Sequence, residues 1–149
     1  MIRIQKLSAA DVGHVAAIAA LELECFSEPW SEAAIADSLL NPLYTFFVAL
    51  RGNDVVGYVG SFTVAGEMQI TNVAVTASAR RQGVGGALIR ALIETAVSCS
   101  VKTVTLEVRA SNRAAAALYE KHGFSAVGLR KNFYSHPVED GILMTLTLP

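Results

Sequence analysis

The chain has few of the residues that build disulfide frameworks or metal sites. It contains two cysteines, Cys25 and Cys99, and three histidines among 149 residues. The cysteines form no Cys-x-x-Cys motif, and no histidine stands near them at metal-ligand spacing. The sequence therefore predicts a reduced, cytoplasmic protein with two free thiols and no bound metal.

The chain also lacks a long apolar run, a targeting pattern and an excess of one charge. Its longest strongly apolar stretch, residues 15–21, ends at Glu22, far short of the roughly 20 residues that a membrane span needs. No basic segment followed by an apolar one opens the chain, so no signal peptide is apparent. The formal net charge is −1, which gives no electrostatic case for nucleic-acid binding. We expect one domain, residues 1–149, with neither a membrane nor a nucleic acid as partner.

The order of the predicted elements indicates the fold class. Apolar alternation and turn signals predict several antiparallel strands, then a strand–helix–strand–helix unit, then two last strands. Ser8 and Asp11 suggest a capping box for the first helix, Ser31 caps the second, and Asn112 caps the helix that ends before Gly123. This order predicts an α/β protein with a mixed sheet flanked by helices.

A basic, glycine-rich loop carries the strongest functional signal. Residues 80–86 are Arg-Arg-Gln-Gly-Val-Gly-Gly, between a strand pattern and a helical pattern. A helix N-terminus offers free N–H groups and the positive dipole end, and glycine lets an anion approach the backbone. The loop lacks the Gly-Lys-Ser/Thr of a Walker A loop and the third glycine of a Rossmann fingerprint, which would fall at Leu88. It predicts a phosphate site of another kind, with a plain tight turn as the structural alternative.

A second group of polar residues follows on the next predicted strand and helix. Strand alternation places Glu107 and Arg109 on the face opposite Val108. Asn112 stands at the next helix start, and Tyr119, seven residues later, lies on the same helix face. A carboxylate on a central strand is unusual, so Glu107 is a candidate catalytic group. The structural alternative is an ion pair with Arg109 or a lysine at the sheet edge.

These motifs resemble those of the GNAT acetyltransferase superfamily. Residues 81–86 resemble its Arg/Gln-x-x-Gly-x-Gly/Ala loop for the acyl-CoA pyrophosphate, and residues 106–124 resemble its C-terminal signature. Residues 24–31, 130–134 and 139–140 are similar to segments of the ribosomal-protein N-alanine acetyltransferase (RimI) group. Two positions depart from that group: Phe133 replaces a tyrosine, and Gly141 stands where alanine is usual.

The resemblance implies a fold and a co-substrate. The fold would be a central, mostly antiparallel twisted sheet with a splayed parallel pair at the acyl-CoA site. Acetyl-CoA would contact the strand before the loop, the loop itself and the start of a later helix. The implied contact residues are Val73, Ala74, Val75, Arg81, Gln82, Gly83, Val84, Gly85, Gly86 and Asn112. Arg80 would either add to the phosphate charge or be merely solvated.

The resemblance also implies catalytic roles. Acetyl transfer needs a neutral amine, a donor for the carbonyl oxygen and an acid for the departing thiolate. By family analogy, Glu107 is the base, acting directly or through a water, and Tyr119 is the acid, with an ordinary phenol near pKa 10. A backbone N–H of residues 73–75 would serve the carbonyl oxygen. The structural alternatives are a core aromatic for Tyr119, an N-cap for Asn112 and a buried core strand for residues 73–75.

The amine that accepts the acetyl group is the feature that the sequence determines least. Residues 26–31 would help to shape its site, although Trp30 could equally be a core anchor. Four nearby acidic residues could attract a basic peptide or form a solvated face; they are Glu22, Glu24, Glu28 and Glu32. The leading hypothesis is an N-terminal alanine acetyltransferase acting on a ribosomal protein. The alternatives are acetylation of a lysine, a small amine or an antibiotic, and a non-catalytic acyl-CoA-binding regulator, which would need neither Glu107 nor Tyr119.

Overall fold

The computed structural model describes residues 1–149 and contains seven strands and four α-helices. The strands are β1 (Ile2–Lys6), β2 (Tyr44–Arg51), β3 (Asp54–Val64), β4 (Glu67–Val75), β5 (Thr103–Arg109), β6 (Ser125–Tyr134) and β7 (Glu139–Thr147). The helices are α1 (Val12–Cys25), α2 (Glu32–Leu39), α3 (Val84–Ser98) and α4 (Arg113–Lys121). Each predicted strand and helix is present within a few residues of its expected position.

The strands form one sheet in the order β1-β2-β3-β4-β5-β7-β6. Every neighbouring pair is antiparallel except β4 and β5, which are parallel. The parallel pairing covers only residues 67–69 of β4 and 103–105 of β5, and beyond it the strands separate. The expected mixed sheet with a splayed parallel pair is therefore confirmed.

Helices cover both faces of the sheet. On one face, Ile18 of α1 and Ile35 of α2 are fully buried in a core with Tyr58 of β3. On the other face, the buried stripe of α3, including Leu88, packs on Val104 of β5. Full burial of one such aliphatic side chain contributes about 1.5–3 kcal/mol. No helix has the length and apolar character needed to cross a membrane.

The starts of α2 and α4 follow the expected capping chemistry. Ser31 Oγ accepts a hydrogen bond from the Ala34 N–H, and Asn112 Oδ1 accepts one from the Ala115 N–H, each at 3.1 Å. Gly123 follows α4 with a φ of 97°, a left-handed conformation that favours glycine.

The expected capping box at Ser8 and Asp11 is wrong. The helix α1 begins at Val12, and the Asp11 side chain makes no capping hydrogen bond. Asp11 has φ −85° and ψ 64°, and its carboxylate accepts from the Ser8 N–H at 3.1 Å. These two residues therefore close a turn before the helix instead of capping its first turn.

A bulge in β4 changes which side chains face α1. Ile70 pairs with Ser61 and Asn72 pairs with Gly60, so Thr71 is an extra residue without a partner. A Cβ on Gly60 would lie 2.9 Å from Thr71 Oγ1, so glycine is needed beside the bulge. Before the bulge Ile70 faces the α3 core, whereas after it Ala74 faces the α1 core. Asn72 is turned to the α1 side by the same shift.

Candidate active site

The separation of β4 and β5 opens a cavity of about 570 Å³. Its walls come from β4, β5, α4, the loop between α1 and α2, and the end of β6. Glu107 of β5 lines it together with Val73 of β4 and with Asn112 and Tyr119 from α4 and its N-cap. This volume lies in the range typical of small-ligand sites.

The glycine-rich loop lies outside this cavity, at the start of α3. Gly83 is the N-cap, with a φ of 78°, and no side chain caps the helix. An added Cβ at Gly83 would meet nothing within 4 Å. The N–H groups of the first turn thus have no side-chain cap and lie at the positive end of the helix dipole beside the exposed Gly83, an arrangement that fits an anion.

The other two glycines of the loop allow α3 and α4 to pack closely. A Cβ on Gly85 would lie 3.1 Å from Leu118 Cδ2, and one on Gly86 would lie 3.4 Å from His122 Cε1. His122 itself has a structural contact, with Nδ1 2.9 Å from the Leu118 carbonyl oxygen.

The two arginines of the loop have different surroundings. The Arg80 Nε donates to the Val75 carbonyl oxygen at 3.0 Å, and its Nη2 lies 3.6 Å from Cys25 Sγ. The alternative that Arg80 is merely solvated is therefore wrong, because Arg80 ties the loop to the end of β4. Arg81 is exposed, with a φ of 63° and no side-chain partner, and is the arginine left for an anion.

The second half of β4 presents backbone groups to the cavity side. The Val75 carbonyl oxygen, which Arg80 contacts, points away from β3, whereas the Thr76 N–H donates to Val56 of β3. Because backbone directions alternate along a strand, Val73 directs its N–H and C=O to the same open side as Val75. No β5 residue pairs with this part of β4. The Ala74 side chain is buried in the α1 core. Residues 73–75 are therefore a buried core strand and also have an open backbone edge.

Glu107 projects toward the α1 side of the sheet and is nearly buried. Its Oε1 lies 3.3 Å from the Arg130 Nε, with side-chain exposures of 11% for Glu107 and 55% for Arg130. The expected alternative partners, Arg109 or a lysine at the sheet edge, are wrong, because β5 is an internal strand and Arg109 bonds elsewhere. Arg130 comes from the bulged part of β6, and no local sequence signal pairs it with Glu107.

Tyr119 is buried in the wall of the cavity, with its ring edge-on to Phe124 at 5.9 Å between centroids. Its hydroxyl has no protein partner, yet it is not among the enclosed unpartnered polar atoms, so it reaches the open cavity. Burial, with a smaller contribution from Tyr134, raises the pKa of Tyr119 to about 12. The phenol therefore stays protonated throughout the neutral range.

Arg109 joins the turn between β6 and β7 to the cavity. Its Nη1 and Nη2 donate to the carbonyl oxygens of Pro137 and Ser135, both at 3.0 Å. It forms an ion pair with Glu139 at 3.3 Å, and its guanidinium lies 4.5 Å from the centre of the Tyr134 ring. Strand alternation predicts only that Arg109 lies on the same face as Glu107, and no local pattern indicates its contacts with the β6–β7 turn.

The four acidic residues near the α1–α2 loop do not form one solvated face. Glu22 is fully buried. Glu24 accepts from the Ala77 N–H at 2.9 Å and from the Thr76 hydroxyl, and these bonds lower its pKa. Glu24, Glu28 and Glu32 are exposed, and Glu28 Oε1 lies 3.6 Å from His136 Nε2. The acidic patch proposed for basic peptides therefore loses Glu22 and keeps three exposed carboxylates.

Both cysteines are free, and no three His, Cys, Asp or Glu side chains come together as possible metal ligands. Cys25 is half-buried at the edge of the cavity, and burial raises the pKa of its thiol.

Comparison with known proteins identifies the fold and the chemistry. Residues 15–124 match the acetyltransferase (GNAT) family. The chain belongs to the GNAT acetyltransferase family. It is an acetyl-CoA-dependent N-acetyltransferase.

Relatives in this family cover nearly the whole chain. A candidate ribosomal protein bS18-alanine N-acetyltransferase of Bacillus subtilis is 33% identical over 97% of this chain and 95% of its own length. The ribosomal protein bS18-alanine N-acetyltransferase of Escherichia coli K12 is 35% identical over 86% of this chain and 87% of its own. The crystal structure of the Escherichia coli ribosomal-protein-S18-alanine N-acetyltransferase superposes with a TM-score of 0.89 at 34% identity, covering 99% of this chain and 94% of that one. The resemblance to the N-alanine group is confirmed.

Proposed function

We propose that this acetyltransferase acetylates the N-terminal α-amine of a ribosomal protein whose first residue is alanine. The observation that carries the proposal is the similarity, over nearly the full chain, to enzymes named for that reaction. The cavity supports it, because Glu107 and Tyr119 line one space large enough for an amine and a thioester. We further propose that residues 1–149 form one catalytic domain that works in the cytoplasm, where ribosomal proteins are made.

The residues at the β4–α3 junction fit the acetyl-CoA that the family uses. Phosphate oxygens would lie on the N–H groups of residues 82–86 beside Arg81, because this helix start is uncapped and open. The pantetheine arm would lie along residues 73–75 and beside Asn112, whose amide nitrogen is not used in capping α4. Bound acetyl-CoA supplies the thioester carbonyl that the amine attacks. The Val73 N–H, on the open side of β4, would donate to that carbonyl oxygen.

Glu107 accepts the proton that the amine loses when its nitrogen bonds to the carbonyl carbon. The carboxylate is nearly buried, and its one ionic partner, Arg130, is more than half exposed. Ion pairs with an exposed member are worth little, about 0–1 kcal/mol, so the amine can enter beside the carboxylate without a large loss. A base placed in this way contributes roughly 10²–10⁴-fold to the rate.

Tyr119 supplies the proton that the departing thiolate of coenzyme A takes up. When the carbon–sulfur bond breaks, the electron pair stays on sulfur, and the Tyr119 hydroxyl donates toward it. A phenol of pKa about 12 is a weak acid, but the thiolate leaves into the same buried wall, where lost hydration raises thiol pKa values as well. Because the phenol is always protonated at neutral pH, the donor is present in every turnover.

An N-terminal amine suits a carboxylate base better than a lysine does. With ordinary pKa values near 8 and 10.4, the α-amine is neutral at pH 7 roughly 200 times more often than the lysine amine. About one α-amine in ten is then already neutral, so Glu107 has far less deprotonation to drive than it would with a lysine.

The test uses two peptides of one basic sequence beginning with alanine. The first has a free N-terminus and dimethylated lysines, and the second has a blocked N-terminus and free lysines. Mass spectrometry after incubation with acetyl-CoA should place one acetyl group on the alanine nitrogen of the first and none on the second. Acetylation of lysine side chains alone would overturn the proposal, and a third peptide beginning with glutamate checks the preference for alanine.

A further inference from the structure

A carboxylate outside the catalytic pair links the two sides of the acceptor end of the cavity. Glu22 lies in the last turn of α1 and has no exposed surface. It belongs to none of the ion pairs of the protein. A buried charge without a counter-ion is expensive unless hydrogen bonds surround it, so its partners explain why it is there.

Three donors from three different segments meet on this carboxylate. Its Oε1 accepts from the Trp30 backbone N–H at 2.9 Å, and its Oε2 accepts from the Tyr58 hydroxyl at 2.5 Å. The Asn72 side-chain amide donates to both oxygens, at 3.1 and 3.3 Å. Hydrogen bonds to a charged acceptor are about twice as strong as neutral ones.

Two of the three donors lie in the walls of the cavity. Trp30 ends the loop between α1 and α2, and Asn72 follows the β4 bulge and directly precedes Val73. Tyr58, in contrast, is a buried residue of β3 that does not line the cavity. Glu22 therefore fixes the distance between the acceptor loop and the strand that would hold the thioester.

We propose that Glu22 is a positioning residue for the acceptor, which holds residues 26–30 against β4 so that the amine meets the thioester. The proposal rests on the function proposed above for the acceptor class, although the positioning applies to whatever amine enters this cavity. Glu22 touches no reacting atom. Its removal lowers the use of the acceptor and leaves acetyl-CoA binding nearly intact, because the loop at the start of α3 makes no contact with it and residues 73–75 stay paired with β3.

Two substitutions remove the hydrogen-bond-accepting oxygens of Glu22 one or two at a time. Glu22→Gln keeps the shape but offers one amide oxygen, which can serve either Trp30 or Tyr58, whereas Glu22→Met is nearly isosteric and serves neither. Kcat/KM for the acceptor peptide should fall roughly tenfold in the Gln variant and further in the Met variant, mainly through KM. The dissociation constant of acetyl-CoA should stay within about twofold of the wild type.

Tyr58→Phe is the matched control. It removes a buried hydrogen bond of the same carboxylate but leaves the bonds to Trp30 and Asn72. It should lower the melting temperature as Glu22→Gln does, yet keep the peptide KM. A merely structural role for Glu22 predicts instead that peptide KM follows stability in all three variants, and that result would overturn the proposal.

Hydrogen–deuterium exchange gives a readout independent of turnover. In Glu22→Gln, exchange of residues 26–31 should accelerate while that of α3 stays unchanged. Unchanged exchange of this loop in a folded variant with normal peptide KM refutes the positioning role. If the wild type acetylates only lysine peptides, the proposed function fails, and the same variants are then compared on that acceptor.

Discussion

Replacing Gly83 by Asp or by Asn separates the charge of the phosphate loop from its shape. Gly83 has a φ of 78°, where most L-residues lose roughly 1–2 kcal/mol, and Asp and Asn are among the residues that tolerate this region best. A Cβ there meets nothing within 4 Å. Both variants should therefore fold with similar small losses of stability, and they differ by one carboxylate.

The size of the effect follows from the charges. A carboxylate 4 Å from one phosphate charge is repelled by about 1 kcal/mol in bulk water and by about 4 kcal/mol at an effective dielectric constant of 20. Gly83 is exposed, so the repulsion lies between these limits. Gly83→Asp should bind acetyl-CoA roughly 5- to 800-fold more weakly than Gly83→Asn.

Titration calorimetry at two salt concentrations measures the acetyl-CoA affinity of both variants, and thermal melting checks that they fold. The difference in affinity between the two variants should decrease as salt rises, because the Debye length falls from about 10 Å at 0.1 M to about 3 Å at 1 M. Equal affinities of the folded Asp and Asn variants would refute the assignment of phosphate to this helix start. An equal loss in both, insensitive to salt, would point to backbone strain and contradict the charge argument.

Three further substitutions test the catalytic and acceptor sides. Glu107→Gln should lower kcat roughly 10²–10⁴-fold at pH 7, with partial recovery at higher pH as more amine becomes neutral; normal turnover at pH 7 would leave Glu107 as a structural partner of Arg130. Tyr119→Phe keeps the ring on Phe124 and removes only the hydroxyl, so kcat should fall with little change in melting temperature or acetyl-CoA affinity, and an unchanged kcat would argue for packing alone. Arg109→Lys keeps the charge but loses the planar guanidinium that donates to two carbonyl oxygens, so the KM for the peptide should rise several-fold. A weaker affinity for acetyl-CoA with an unchanged peptide KM would contradict a role of Arg109 at the acceptor end of the cavity.

The sequence predicted those parts of the fold that depend on local patterns. Alternation within β5 places Glu107 on the face opposite Val104, and the burial of Val104 with Glu107 at the cavity agrees. Asn112 was predicted to be an N-cap, and its side chain does accept from the Ala115 N–H. These features involve neighbours within a few residues, where periodicity and capping chemistry are informative.

The ionic partners of the site could not be predicted in this way. Arg130 lies on β6, two strands away from Glu107 on β5, with β7 between them. The contact forms where the pairing of β6 with β7 is irregular, between residues 130 and 134. Along the chain, Arg109 is the nearer cation, yet its guanidinium turns to the carbonyl oxygens of the β6–β7 turn. Charge pairing across strands depends on register, and a single bulge changes register without a sequence signal that composition or periodicity detects.

The β4 bulge accounts for most of what the sequence left unseen at the acceptor end. If Thr71 were a regular strand residue instead of a bulge, strict alternation would send the Asn72 side chain to the same face as Ile70, into the α3 core. With the bulge, the Asn72 side chain donates a hydrogen bond to Glu22. Glu22 is therefore buried and hydrogen-bonded, whereas the sequence suggested that it belongs to a solvated acidic group. The backbone of Val73 lies on the open edge of β4 directly after the bulge, so the bulge couples the loop of residues 26–30 to the part of β4 proposed to hold the thioester. One inserted residue thus explains both the misassigned glutamate and the geometry on which the proposed chemistry depends.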